Sequence, residues 1–276
     1  MGFFERLTKI DRRIVFLIIM LSVILPLLLR VDFPITVTKE VQNVYDLVDE
    51  LPAGSTILLP CEYAPDTMAE LEPMLFAILR HCWSKDINII AGLFYHTGVT
   101  LVEQEILYMA EKMNAEYGKD YVFLGYRPYP AVVIMSMGQN FRQSFPTDLY
   151  GTPLDDIPMM QGIKNYANID LVLTINATSG VDQWIIWGRE RYGFPFAIGV
   201  TAVMAADYYQ YLNSGQVIGI IGGLKGAAEY EDLVNYKDMA TMGMSIQSFA
   251  HIVIVLFIII GNVGYFVTRK KKGPRL

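Results

Sequence analysis

Charged residues are sparse in this chain, and no part of it has the composition of a disordered or fibrous protein. Of its 276 residues, 18% are charged and 12% are aromatic, and no low-complexity tract occurs, which excludes a disordered protein. The 13 prolines and 22 glycines follow no three-residue period, which excludes collagen. With three histidines and no EF-hand spacing, we expect no metal site and no cofactor.

Apolar residues are abundant instead, and the excess lies near the two ends of the chain. Hydrophobic residues make up 53% of the sequence and the mean hydropathy is +0.33. Both values are higher than those of an ordinary soluble protein. Residues 14–29, IVFLIIMLSVILPLLL, span about 24 Å, so Arg13 and Arg30 must extend toward the headgroups of a core about 30 Å thick. Residues 249–267 span about 28 Å and predict a second transmembrane helix.

The first apolar segment has two interpretations. A signal peptide requires small residues at a cleavage site, whereas LLLRVDFP follows this segment, so we favour an uncleaved anchor. The predicted layout is then a tail (1–13), a transmembrane helix (14–30), an extracytoplasmic domain (31–243), a second transmembrane helix (244–268) and a basic tail (269–276).

Basic residues flank both apolar segments on their outer sides. Arg6, Lys9, Arg12 and Arg13 precede the first segment, and Arg269, Lys270, Lys271, Lys272 and Arg275 follow the second. By the positive-inside rule both termini are cytoplasmic, and the central domain is periplasmic or extracellular. The expected location is the inner (cytoplasmic) membrane of a prokaryote.

The predicted outer domain is acidic. Nine of the 22 basic residues and two of the 28 acidic residues lie in the tails, so residues 14–268 carry a formal net charge of −13. A domain of that charge repels anionic headgroups and nucleic acid, so we expect no nucleic-acid partner. We interpret the charge as a solvated surface in preference to a cation site.

Two cysteines, Cys61 and Cys82, would face an oxidising compartment. If Cys61 ends a strand and Cys82 ends the antiparallel helix that follows, the two lie about 30 Å apart, beyond the ~7 Å Cα limit for a disulfide. We therefore expect two unpaired thiols, with Cys82 in the core.

The central domain alternates short apolar runs with stretches of helical periodicity. This pattern predicts a mainly parallel sheet with helices on both faces, that is, a three-layer α/β (Rossmann-like) fold. The expected strands are 55–60, 87–94, 121–126, 169–175, 196–200 and 217–221. The expected helices are one capped by Asp66, then 100–117, 132–144, 181–192, 202–214 and 227–234.

Ligands of open α/β sheets bind beyond the carboxyl ends of the strands. The candidate pocket residues at those ends are Cys61, Glu62, His96, Arg127, Asn176, Thr178, Ser179, Gly223 and Lys225. These residues also have a simpler explanation, because loops are generally polar and tight strand-to-helix turns need glycine. Cys61 is more often a buried apolar residue than half of a thiolate pair with His96. Asn176-Ala177-Thr178 matches a glycosylation sequon that we discount, and we assign no catalytic residue.

A long irregular connection, residues 145–163, holds three prolines and three aspartates, Asp148, Asp155 and Asp156. Its aromatic residues and methionines argue against disorder, so we interpret it as an ordered flap or docking surface. The aspartates are more simply a solvated edge than a cation site. Trp184 and Trp187, three residues apart, are most simply core, with a partner interface as the second choice.

The second apolar segment holds more than an anchor requires. His251, Gly261, Asn262 and Gly264 are polar or small residues that, in lipid, usually pack against another helix. That helix is either the first span of the same chain or one from a partner. The short tails leave no cytoplasmic output domain, so any signal must pass through another membrane protein.

Four stretches carry a resemblance to known sequences. PTDLYGTPLDDIPMM, VIGIIGGLKGAAEYEDLV, SIQSFAHIVIVLFIIIGNVGYF and FLGYRP resemble a family of uncharacterised prokaryotic membrane proteins with the same two-span layout. This resemblance implies the topology and no activity. LNSGQV, with the strand and glycine turn after it, is more loosely similar to periplasmic binding proteins, which implies at most an α/β ligand-binding heritage.

Two functions remain open from the sequence. We favour a noncatalytic subunit of a membrane complex, whose outer domain docks other integral membrane proteins while its spans lie in the lipid bilayer. The alternative is an extracytoplasmic receptor or enzyme that binds a small-molecule ligand at the carboxyl ends of the strands.

Overall fold

A computed structural model describes residues 11–29 and 33–271, which form two compact units. One unit, the α/β domain, is Ile35–Ala240, and the other, the terminal unit, joins the segments before and after it. The predictions that concern Arg6, Lys9, Arg30, Lys272 and Arg275 fall on residues outside the described ranges.

The α/β domain contains the parallel sheet that the sequence predicts. Its strands are β1 (Thr56–Glu62), β2 (Asn88–Leu93), β3 (Tyr121–Tyr126), β4 (Leu171–Asn176), β5 (Phe196–Val200) and β6 (Ile220–Gly222). All neighbouring strands are parallel, in the order β3-β2-β1-β4-β5-β6. Every residue of β1, β4 and β5 is buried, as sheet strands covered on both faces require. The fold is therefore α/β and Rossmann-like, as predicted.

Helices form a layer on each side of this sheet. One layer holds α2 (Lys39–Asp49), α3 (Met68–Ser84), α4 (Val99–Met113) and α10 (Gly223–Leu233), and α3 contacts the other three. The second layer holds α5 (Pro130–Met137), α6 (Phe141–Ser144), α7 (Gly180–Gln183), a π-helical segment (Trp184–Arg189), α8 (Glu190–Tyr192) and α9 (Ala202–Asn213). The crossover from β3 to β4 moves the chain from the first layer to the second, as the strand order requires.

Several predicted helix and strand limits were wrong. The helix expected over 132–144 is broken, because Asn140 leaves the helical conformation and its side chain caps α6 by accepting from Arg142 N. Helix α3 begins at Met68 with Thr67 as its N-cap residue, so Asp66 is not the cap. Helix α2 was missed, although Val41, Val44 and Val48 form its buried apolar face.

The connection over 145–163 is ordered, as expected. Phe145, Leu154, Ile157 and Met160 are buried in the core of the second layer, so the segment supplies packing to the domain in addition to surface. Three 3-10 turns, Leu154–Asp156, Pro158–Met160 and Tyr166–Asn168, lie in or just after it.

The aspartates of this connection have partners within the chain. Asp148 is buried and accepts from Tyr150 N and Thr152 N (2.9 and 2.8 Å) and from the Tyr117 hydroxyl (2.6 Å). Asp155 pairs with Arg142, whose guanidinium also donates to two backbone carbonyls of the connection. Asp156 is exposed. Asp148 and Asp155 therefore stabilise the conformation of this connection.

The prediction that both tryptophans are core was half wrong. Trp184 is fully buried, whereas Trp187 is 36% exposed. Residues three apart nearly overlie in an α-helix, but both tryptophans lie in the π-helical segment, whose wider turn rotates them apart. Cys61 and Cys82 are free and fully buried, which confirms that Cys82 is core.

The terminal unit contains two helices long and apolar enough to cross a membrane. They are α1 (Arg12–Leu29) and the apolar part, Met239–Val267, of α11 (Met239–Lys271). Helix α11 begins five residues before the predicted span limit of 244. The Phe33 and Phe249 rings lie 5.2 Å apart, which joins the two segments of this unit.

Gly219 offers a test of the packing between α2 and the sheet edge. A Cβ added there would lie 2.8 Å from both Glu40 O and Val44 N, so the α2 backbone must move. We expect Gly219→Ala to destabilise the protein by about 1–3 kcal/mol, measured as a lower thermal unfolding midpoint in detergent. Gly92→Ala is the matched control, because its new Cβ would meet only Leu124 Cβ at 3.8 Å. Equal midpoints for the two variants would contradict the packing described here.

Candidate functional site at the switch point of the sheet

The strand order reverses between β1 and β4, and this switch point is where open α/β sheets form a crevice. Glu62 is the last residue of β1 and Asn176 the last of β4, and the two are register partners. Both side chains are buried, with exposed fractions of 2% and 0%. The topology thus brings together two of the polar residues that the sequence singled out.

Glu62 is held by the loop and helix that follow β4. Thr178 Oγ1 donates to Glu62 Oε2 at 3.3 Å, and Trp184 Nε1 donates to Glu62 Oε1 at 3.4 Å. A Cβ added to Gly180 would lie 1.9 Å from Oε2, so only glycine at this position leaves room for the carboxylate. The glycine at the start of α7 is therefore what allows the Glu62 carboxyl to be buried there.

Burial controls the ionisation of Glu62. Desolvation raises the pKa of this carboxyl to about 7, against weaker lowering by Asn176, Trp184 and Thr178. An acid with this pKa exchanges protons near neutrality, which is the property of a general acid or base. The same property arises in a purely structural buried carboxyl, so geometry decides between the two.

The Asn176 side chain lies against the Glu62 carboxyl. Its Oδ1 accepts from Thr178 N at 2.6 Å and from Thr178 Oγ1 at 2.9 Å. Its buried Nδ2 lies beside Gly180, next to Glu62 Oε2, and the contact falls outside normal hydrogen-bond geometry. The Glu62 carboxyl is nevertheless the acceptor that this donor faces, since Asn176 lowers the pKa of Glu62. The buried side chain also supports discounting the glycosylation sequon.

A narrow apolar crevice lies on the same side of the sheet as Glu62. Trp184 belongs to both, because its ring lines the crevice while its Nε1 bonds the carboxyl group. The remaining lining residues are Leu58, Pro60, Gly92, Phe94, Leu124, Met137 and Phe145. The crevice encloses about 10 Å³, room for about one water molecule, and Trp184 connects it to the Glu62 carboxyl.

A second buried acid lies across the sheet from this crevice. Successive strand residues point to opposite faces, so Cys61 and Tyr63 face away from Glu62. The Tyr63 hydroxyl donates to Glu105, and burial raises the pKa of Glu105 to about 7. Burial, with Glu105 and Glu62 nearby, raises the pKa of the Cys61 thiol, which therefore stays protonated.

The structure does not bring Cys61 and His96 together as a reactive pair. Cys61 is fully buried, whereas His96 is exposed on a 3-10 turn, with its ring 6.0 Å from those of Tyr95 and Tyr126. A thiolate pair would need both groups at one surface and a lowered thiol pKa.

The remaining sequence candidates have no contact with Glu62 among the described interactions. Arg127 donates to Ser144 O and Tyr126 O and lies over the Phe145 ring. Lys225 pairs with Glu229 one turn along α10. Gly223 has a φ of +57° and lies against Glu70 and Ala202, so a tight turn explains it. Ser179 is exposed. The cluster that remains is Glu62, Asn176 and Thr178.

Two neighbours of this cluster are not predicted by the sequence as parts of a site. Trp184 is predicted as core, with a partner interface as the second choice, and Gly180 is not singled out. Their relation to Glu62 depends on the pairing of β1 with β4, which a single sequence does not reveal. Within residues 11–29 and 33–271, no group of three or more His, Cys, Asp or Glu side chains could hold a metal ion.

No family model and no curated protein matches the chain. Among solved structures, it is similar to a trehalose-6-phosphate synthase, OtsA, with 11% identity and a TM-score of 0.31. The match covers 86% of this chain and 47% of that one, so the chain spans about half the length of that structure.

The raised pKa of Glu62 and of Glu105 predicts a loss of stability with rising pH. Each group has a higher pKa folded (about 7) than unfolded (4.5), so ionisation destabilises the native state as pH rises through this window. Ionisation of each group lowers the free energy of unfolding by up to about 3 kcal/mol. We expect Glu62→Gln to match wild type at pH 4.5 and to exceed its stability at pH 8, measured by chemical unfolding.

The exposed Glu50 provides the control for this measurement. Glu50→Gln should retain the pH dependence of wild type. A Glu62→Gln profile parallel to wild type would show that Glu62 is not desolvated as described.

Proposed function

We propose that this chain is a noncatalytic subunit of a membrane protein complex, anchored in the inner membrane by α1 and α11. Both termini are cytoplasmic, and the α/β domain lies on the outer side, where it docks other integral membrane proteins. The basic residues outside the two apolar helices and the acidic balance of the central segment support this topology.

The observation that carries the proposal is that the second helix layer exposes several large apolar side chains. Four large apolar side chains there are more than half exposed: Tyr129, Val132, Ile186 and Val203, at 77%, 62%, 52% and 85%. Tyr129 directly precedes α5 and Val132 lies in it, whereas Ile186 lies in the π-helical segment and Val203 in α9. Such side chains, together with the partly exposed Trp187, are typical of a protein interface.

Tyr129 adds a second feature to this surface. Its φ of +62° lies in the left-handed region, which is uncommon for a bulky residue and costs free energy. It directly precedes Pro130 at the start of α5, so the strained turn holds an aromatic ring in solvent. A docking role accounts for a strained backbone that exposes an apolar side chain.

Val203 allows the docking role to be tested without loss of folding. It lies in the first turn of α9, where an added negative charge favours the helix. We expect Val203→Asp to release the partner membrane proteins that accompany wild type through extraction in mild detergent and affinity purification. Gln210→Glu, which adds the same charge in the exposed last turn of α9, should keep them. Identical composition for both variants would contradict docking through this surface.

A second candidate function is an extracytoplasmic receptor for a small ligand. The Glu62 carboxyl and the Asn176 amide at the switch point, with a small apolar crevice on the same side of the sheet, favour it. The acid next to the amide suits a neutral group with both a donor and an acceptor, such as an alcohol or a primary amide, and the acidic surroundings disfavour phosphates and carboxylates.

Thermal shift assays with small neutral amides and alcohols test this second function. Binding should raise the unfolding midpoint of wild type and of His96→Ala, because His96 lies outside the cluster. Thr178→Val, which removes a hydrogen bond to Glu62, should reduce the shift. A shift that is absent from wild type, or that depends on His96, would exclude this pocket as the ligand site.

A further inference from the structure

Helix α11 has two distinct faces within the terminal unit. Its least exposed positions in the apolar segment, Val253, Phe257, Ile260 and Gly264, recur at helical spacing and form one stripe. On α1, the least exposed positions are Val15, Ile19, Ser22 and Pro26, which form a matching stripe. Because the two helices belong to one compact unit, we assign these stripes to the seam between them, and Gly264 is the one predicted packing residue that lies on it.

The polar residues of α11 lie on the other side. At 100° per residue, His251, Ile258 and Asn262 fall within about 40° of each other and roughly opposite the seam. All three are exposed, and so is Gly261, where an added Cβ would meet no atom within 4 Å. The intrachain pairing of the spans therefore does not account for His251, Gly261 and Asn262.

Asn262 keeps unsatisfied hydrogen-bonding capacity on this face. Its Nδ2 donates to Ile258 O of the preceding turn at 2.8 Å. A primary amide has a second N–H and a carbonyl oxygen, and among the described residues neither has a partner. Lipid supplies no hydrogen bonds, so such a group in a membrane helix is stabilised by contact with another helix.

We propose that this face of α11 pairs with α11 of a second copy of the chain, through Asn262. The proposal rests on the proposed membrane anchoring and names the partner of the helix. Two copies insert in the same direction, so Asn262 of each lies at one depth. A primary amide is also self-complementary, because each Oδ1 accepts from the N–H of the other copy, so a second copy satisfies both groups at once.

Gly261 lies between this face and the seam, 100° around the helix from Asn262, so the pairing does not depend on it. Repulsion between the two acidic outer domains does not oppose it strongly, because salt screens exposed charges beyond about 8 Å.

Cysteine cross-linking tests the pairing in the native membrane. Both natural cysteines are free and fully buried, so a cysteine introduced into α11 provides the accessible thiol. Ile258→Cys places it on the proposed face, and Leu256→Cys places it at similar exposure (51% against 56%) but turned away. Oxidation with copper phenanthroline should give a species at twice the 31.2 kDa chain mass, at least fivefold more abundant for Ile258→Cys.

Asn262 variants identify the contact. In the Ile258→Cys background, Asn262→Leu should reduce the cross-linked fraction several-fold, and Asn262→Gln, which keeps the amide, should retain most of it. Equal cross-linking from both cysteine positions, or no effect of Asn262→Leu, would overturn the pairing.

The composition of the purified protein separates this inference from the proposed function. Cross-linked copies without other membrane proteins support the pairing and contradict the role as a subunit. Other membrane proteins without self-cross-linking overturn the pairing and leave the subunit role intact.

Discussion

Burial of β1 on both faces is the constraint on which the rest of the α/β domain depends. All seven of its residues are buried between the two helix layers, and it lies next to the switch point of the sheet. At its carboxyl end, Glu62 therefore faces one helix layer and Tyr63 faces the other, and both side chains are buried from solvent. Each side then provides polar partners, Thr178 and Trp184 for Glu62, and Glu105 for Tyr63.

The same constraint explains which parts of the fold are predictable from the sequence. Strands buried on both faces are continuous apolar runs, so their number and approximate limits follow from the sequence. Local departures from regular helix are harder to predict. Asn140 ends one helix and caps the next, and the π-helical turn separates Trp187 from Trp184. Helix α2 was missed because its short apolar face lies outside the strand-helix alternation used to find the others.

The candidate site was predicted in part for a related reason. Residues at the carboxyl ends of strands can be named from the sequence, and Glu62, Asn176 and Thr178 were among them. Which of those ends meet depends on strand order, because β1 pairs with β4, across 114 residues of sequence. Arg127 and Lys225 have the right chemistry, but local partners on their own segments hold them.

The proposed function requires that the chain forms a stable complex with other membrane proteins. The most direct measurement is native mass spectrometry of the full-length protein, extracted from its own membrane in mild detergent. The account predicts a stoichiometric assembly that contains other integral membrane proteins and more than one copy of the chain. A mass of 31.2 kDa, the chain alone, would contradict it.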